Sequence, residues 1–124
     1  MKIIKSTEVN SVDKPEGTSV HYYLFNDYEI HYNDQAPGTT QTWHHHEIIW
    51  ETLYMIDGEL TVKWRENDQE FSSVVASGDL IETERTPHTF VNESDQIVRF
   101  IVIKRIPSEQ DYREVFKTDK IIDQ

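Results

Sequence analysis

The sequence predicts an all-β protein, a sandwich or small barrel closed by one short C-terminal helix, and three observations predict it. Short runs rich in valine, isoleucine, threonine and aromatic residues recur along the chain: "HYYLF", "YEIHY", "TWHHH", "ETLYMI", "ELTVKW", "EFSSVVA", "DLIET", "HTFVN" and "IVRFIVIKRI". Turn-forming clusters separate them, among them "DKPEG", "NDQAPG", "IDGE", "RENDQE", "ASGD", "ERTP" and "NESDQ". Many short strands with turn signals at this spacing describe a β sandwich or barrel. The apolar period is also two rather than 3.6. In "ELTVKWR", Leu60, Val62 and Trp64 share one face, while Glu59, Thr61, Lys63 and Arg65 take the other.

The N-terminal runs carry His21 and His31, expected as hydrogen-bonded structural histidines, with His31 a minor candidate to line a pocket. In "ETLYMI", Glu51, Leu53 and Met55 fall on one face and Thr52, Tyr54 and Ile56 on the other. "LYMIDGEL" reads as strand, turn, strand, with Gly58 supplying a positive φ. Trp43, Trp50 and Trp64 read as core or subunit-interface residues. In "FIVIKRI" both faces are apolar, so this strand is expected inside a double-layered fold or beneath a partner subunit. The helix is expected to start in "PSEQDYREVF", with Ser108 as N-cap, Asp111 three residues on, and Tyr112, Val115 and Phe116 as its apolar stripe.

A chain of 124 residues suits one domain, 1–124, and suffices for one hydrophobic core without staples. It holds no cysteine, which removes disulfides and thiolate metal sites. Twelve basic against twenty-three acidic side chains give a net charge of -11, and no basic cluster stands out, so nucleic acid is not an expected partner. The N-terminus has only two consecutive apolar residues and no run approaches a membrane span, so a cytoplasmic protein without membrane association is expected. The sequon-like Asn92-Glu93-Ser94 accordingly has no glycosylation to report.

Chemistry concentrates in "TWHHHEIIWE", residues 42–51. On a strand, side chains two apart share a face, so His44 and His46 point together and His45 points away. Their Cβ atoms stand about 6–7 Å apart, close enough to converge on one ion with bonds of about 2.0–2.1 Å. If Leu53 and Met55 line the interior, Glu51 is inside with them, and a buried carboxylate there needs a partner or a cation. His45 and Glu47 read as surface or supporting groups. Glu82 and Glu84 stand near the expected mouth, where carboxylates are ordinarily solvated.

These residues resemble the first motif of the cupins: Gly38, five residues, His44-x-His46, four residues, Glu51, six residues, Gly58. The second motif is similar in part. Gly78-Asp79 opens it, and His88, preceded by Pro87, is followed four positions later by Asn92. The family's Pro-x-Gly is replaced there by Glu84-Arg85, and the segment is one residue shorter. The resemblance implies a double-stranded β-helix (a six-stranded jelly-roll barrel) with its core at about 36–106. It implies one divalent transition metal held by His44, His46, Glu51 and His88. Nitrogen and oxygen donors in that mixture suit Fe, Mn, Ni, Cu or Zn rather than Ca or Mg.

The function implied is a metal-dependent enzyme on a small organic substrate, foremost a dioxygenase-type oxidoreductase in which Glu51 also serves as a base. An isomerase or lyase, and a non-catalytic ligand- or metal-sensing module, are the alternatives. The doubly apolar strand adds the expectation of a homodimer.

Overall fold

The protein is described from a computed structural model covering residues 1–106 and 113–123. Its strands are β1 (Asn10–Asp13), β2 (Thr18–Leu24), β3 (Tyr28–Gln35), β4 (His44–His46), β5 (Trp50–Asp57), β6 (Leu60–Glu66), β7 (Gln69–Val75), β8 (Leu80–Glu82), β9 (His88–Val91), β10 (Val98–Arg105) and β11 (Lys120–Ile122), with helix α1 (Arg113–Thr118) before the last. A six-stranded sheet runs β1-β2-β3-β10-β5-β8 and a five-stranded sheet runs β11-β4-β9-β6-β7.

The topology is that of a long hairpin wound upon itself. β6 pairs with β7, β5 with β8, β4 with β9 and β3 with β10, all antiparallel. The tip of the hairpin lies at Asn67-Asp68, where φ values of 51° and 61° match the positive angles a two-residue hairpin turn requires. Winding brings β10 beside β5 and β9 beside β6. The jelly-roll expectation therefore holds, with more than the six strands expected. The β1–β2 hairpin widens one sheet and β11 widens the other, and neither β1 nor β11 carries the alternation that marks a strand in sequence.

Alternation decides what is buried. Leu53 and Met55 of β5, Leu60 and Val62 of β6, Phe90 of β9, and Val98, Phe100 and Val102 of β10 form one core between the sheets. Each such side chain contributes about 1.5–3 kcal/mol on burial. Tyr54 and Ile56 point outward and are exposed, as the period of two requires. β10 is a central strand of the six-stranded sheet, between β3 and β5. Its outward residues Ile101 and Ile103 remain half-buried.

Gly58 adopts φ +89° against Val98, where a Cβ would come within 3.0 Å. In α1, Phe116 is buried and Val115 half-buried against Ile49 and Ile106, while Ser108, Asp111 and Tyr112 lie outside the described residues. Of the tryptophans, only Trp64 packs on the core, stacked with Phe71. Trp43 and Trp50 instead lie beneath the guanidinium groups of Arg65 and Arg85, at 3.9 and 4.3 Å from the ring centres. An arginine covers a ring face as well as a core does, and the sequence pattern does not distinguish the two. Asn92 is fully buried, which leaves no access for a glycan. No helix among the described residues is long and apolar enough to cross a membrane.

Candidate metal centre

β4 presents His44 and His46 inward, 5% and 1% exposed, and turns the half-buried His45 out toward Asp123, 2.6 Å away. The split follows from the pleat. Glu51, 4% exposed, enters from β5, and His88, 2% exposed, from β9, where it is the direct cross-strand partner of His44. Between His46 and Glu51 the chain turns through residues 47–49. The carboxylate of the buried Asp119 holds that turn, accepting the backbone N–H groups of Glu47, Ile48 and Ile49 at 3.3, 2.9 and 2.8 Å.

One donor atom each from His44, His46 and Glu51 lies within 4.8 Å of the other two. His88 stands outside that mutual limit, yet its Nε2 is 3.1 Å from Glu51 Oε1 and its ring centre 4.5 Å from that of His44. The structure thus gathers all four residues singled out in the sequence, three tightly and the fourth against Glu51.

Two histidines are oriented by the same local device. His44 Nδ1 donates to the Thr42 carbonyl at 2.7 Å, and His88 Nδ1 to the Thr86 carbonyl at 2.6 Å. A carbonyl can only accept, so the proton of each neutral imidazole is on Nδ1 and the Nε2 lone pair is free. His46 lacks this support: its Nε2 pairs with Glu51 Oε2 at 3.1 Å and its buried Nδ1 has no partner.

Glu51 Oε1 and His88 Nε2 are both buried without a hydrogen-bond partner, although they face each other. With His88 neutral, two acceptors confront one another in a buried site, an arrangement that a metal cation or a proton on Nε2 relieves.

Burial pushes the His44 pKa down to about 3, with His88 adding to the effect, so the imidazole stays neutral. For Glu51, burial opposes ionisation, but donation from His46 and His88 in their protonated forms, with the Lys104 ammonium, outweighs it and holds the carboxyl well below its ordinary value. Lys104 Nζ lies 3.8 Å from Glu51 Oε2. His31 is buried with Nε2 at 2.8 Å from Glu29, and burial lowers its pKa despite that partner.

Two cavities flank the cluster. A wider one of about 330 Å³ opens between β7 and β8, touches His88, and includes Glu66, Glu82 and Glu84 in its wall. A narrower one of about 40 Å³ reaches His44 and Glu51 from the side of β2, β3 and β11. His31 does line it, together with residues the sequence reading passed over: Lys14, Thr18, Asn33, Lys104 and Lys120. Lys104 shares the alternation of Phe100 and Val102, a signal that was readable. Lys14 and Lys120 come from a turn and from the unexpected β11, and nothing local marks them. Partial burial lowers the pKa of both, with Lys104 adding its repulsion to each.

No protein of curated function matches the chain by sequence. Among solved structures it is similar to an oxalate decarboxylase of Lactobacillus farciminis in its formate complex, with 18% identity and a TM-score of 0.74. That match covers 96% of this chain but 35% of the other, so the chain spans about a third of that protein. It is similar to the polyketide cyclase RemF of Streptomyces resistomycificus, with 23% identity over 90% of this chain and 85% of the other, TM-score 0.69. It also resembles vicilin from hazelnut, Corylus avellana, with 18% identity over 86% of this chain and 33% of the other, TM-score 0.70. At such identities these likenesses show the fold alone. The family model described as the cupin domain matches residues 32–104, a span that contains β4 through β9, parts of β3 and β10, and all four clustered side chains. The chain belongs to the cupin family.

Proposed function

We propose that the protein is a metal-dependent enzyme acting on a small organic substrate, foremost an oxidoreductase of the dioxygenase type. His44, His46, Glu51 and His88 are the proposed ligands of one divalent ion, Fe, Mn, Ni, Cu or Zn. The carrying observation is the buried, unpartnered face-to-face pair of Glu51 Oε1 and His88 Nε2, 3.1 Å apart. Neutral imidazole and carboxylate donors match those metals better than Ca or Mg. Solved structures of similar fold include a decarboxylase and a cyclase, which supports an enzyme reading without selecting the reaction.

The bound ion would supply Lewis-acid polarisation of the substrate and, for iron, redox chemistry. The chain's own contributions are separate. Thr42 and Thr86 aim two imidazoles through their Nδ1 protons, and Asp119 keeps the turn that sets Glu51 opposite His46. Glu51 stays ionised, ready to accept a proton from substrate, with the Lys104 ammonium beside it to balance its charge. The apolar floor of Phe100 and Val102 limits water around the cluster.

The outward side chains of β10 support the further proposal of a homodimer formed through the face of the six-stranded sheet. Elemental analysis of tag-free protein, then oxygen consumption and product formation with a substrate panel, tests the enzyme reading. Bound transition metal with turnover is expected. Loaded protein that turns over no member of the panel would leave a binding module in its place.

A further inference from the structure

The two cavities beside the cluster differ in charge as well as size. Glu66, Glu82 and Glu84 line the wider one. Lys14, Lys104 and Lys120 line the narrower one, opposed there by Glu16 and Glu51. In a chain of net charge -11 with twelve basic residues, three of them meeting in one small recess is a local reversal of sign. Strand register builds it. Lys104 is the cross-strand partner of Glu51 in the six-stranded sheet, and Lys120 that of His46 in the five-stranded sheet, so each shares its sheet face with a member of the cluster. Lys14 and Lys120 form no ion pair with any described residue, and Lys104 reaches Glu51 only at 3.8 Å.

A second observation points to a ligand. Thr18 and Asn33 line the same recess at 2% and 5% exposure, and their Oγ1 and Oδ1 atoms have no hydrogen-bond partner among the described residues. An amide oxygen left without a protein partner in a buried wall calls for a hydroxyl or N–H from whatever sits opposite. The recess is small, at about 40 Å³, so the ligand has few non-hydrogen atoms.

From this geometry we infer that the narrower recess binds a small hydroxycarboxylate, its anionic group on the three lysines and its hydroxyl toward Asn33 and Thr18, and that substrate enters by this mouth rather than the wider one. The inference rests on the metal reading only for what the ligand meets at the recess floor, namely His44 and Glu51. The lysines and the orphaned oxygens stand without it. Long-range attraction between the recess and an anion adds to the contact terms and weakens with salt.

Calorimetric titration of the full-length chain, both Mn²⁺-loaded and metal-free, with lactate, lactamide and propionate tests this. Lactamide removes the charge and propionate the hydroxyl. Lactate is expected to bind about tenfold or more tighter than either, the scale of one charge-assisted hydrogen bond. Lys14→Met with Lys120→Met is expected to erase the preference over lactamide while leaving metal content and circular dichroism unchanged. Lys14→Arg with Lys120→Arg restores it, and Glu66→Gln at the other opening has no effect. Equal affinity for lactate and lactamide, no saturable lactate binding in either form, or lactate affinity indifferent to the lysines overturns the inference. A chain that takes up no Mn²⁺ sinks the metal reading alone, since charge-dependent lactate binding in that metal-free protein still supports the recess.

Discussion

The Asp119 carboxylate accepts the Ile49 backbone N–H at 2.8 Å, joining residues seventy positions apart and bracing the turn between two proposed metal ligands. The same oxygen also accepts Ile48 N–H at 2.9 Å. Replacing the carboxylate strands these donors at a buried site, each at about 1–3 kcal/mol. Asp119→Ala is therefore expected to lower stability by about 2–3 kcal/mol in denaturant titration and to weaken metal uptake as Glu51 loses its register with His46. Asp119→Asn, which keeps one acceptor oxygen, is expected to fall between. Wild-type metal affinity in Asp119→Ala would show that the turn needs no brace.

Removing any one of His44, His46 or His88 is expected to cut metal occupancy, at equal supplied metal, to about a tenth or less of wild type. His45→Ala is expected to leave it unchanged, because His45 faces Asp123 on the opposite side of the strand. Mass-spectrometric metal counting on the four alanine variants decides this. A fall on removal of His45 comparable to that for His44 would contradict the pleat-based assignment.

In metal-free protein the buried histidines impose a pH dependence of stability. The folded pKa of His44, about 3, lies below its unfolded value of about 6.5. Its contribution is fully present above pH 6.5 and is lost as pH falls toward 3, at up to about 1.4 kcal/mol per pH unit. His31 acts in the same direction. His45, whose pKa Asp123 and Glu47 raise against partial desolvation, has the opposite sign and loses its small contribution as pH rises through its folded pKa. The melting temperature of chelator-treated protein is thus expected to drop between pH 7 and pH 5. A flat profile over that window would mean that His44 is charged or solvated.

Glu84 and Arg85, which replace the Pro-x-Gly of related motifs, take φ values of 51° and 60°. A left-handed conformation costs a side-chain-bearing residue roughly 1–2 kcal/mol. Arg85 has compensation, since it covers Trp50 and donates to the Ile48 carbonyl at 3.1 Å. Glu84 is exposed, and its side chain makes no hydrogen bond or ion pair among the described residues. Glu84→Gly is expected to stabilise by about 0.5–1 kcal/mol, read from the unfolding midpoint, whereas Arg85→Gly is expected to gain nothing.

The proposed homodimer has its own measurement. Ile101 stands between Tyr32 and Tyr54 on the outer face of the six-stranded sheet. Light scattering at micromolar concentration is expected to give twice the mass of 14.7 kDa, and Ile101→Glu to return the single mass. A monomeric wild type would dispose of the proposal.

How legible all this was depends on sequence distance. His44, His46 and the outward His45 could be sorted by parity alone, because a strand's period of two is a local property. Glu51 followed from its phase with Leu53 and Met55. The all-β class followed from short alternating runs between turn clusters. β11 was not legible: "KII" becomes a strand only because β4 offers it an edge. That Trp43 and Trp50 lie outside the core was not legible for the same reason, since their arginine partners lie far along the chain.

By itself, the sequence determined the strand character, the shared parity of His44 and His46, the phase of Glu51 with Leu53 and Met55, and the family motifs that added His88, all of which are set by neighbours within a few residues. Only the tertiary structure decided that Glu51 and His88 meet without a hydrogen bond, that Asp119 braces the ligand turn, and that three lysines converge in a chain of net negative charge. Those relations depend on strand pairing between distant segments. Pairing is settled when the whole apolar interior closes at once, so no local stretch of residues encodes it.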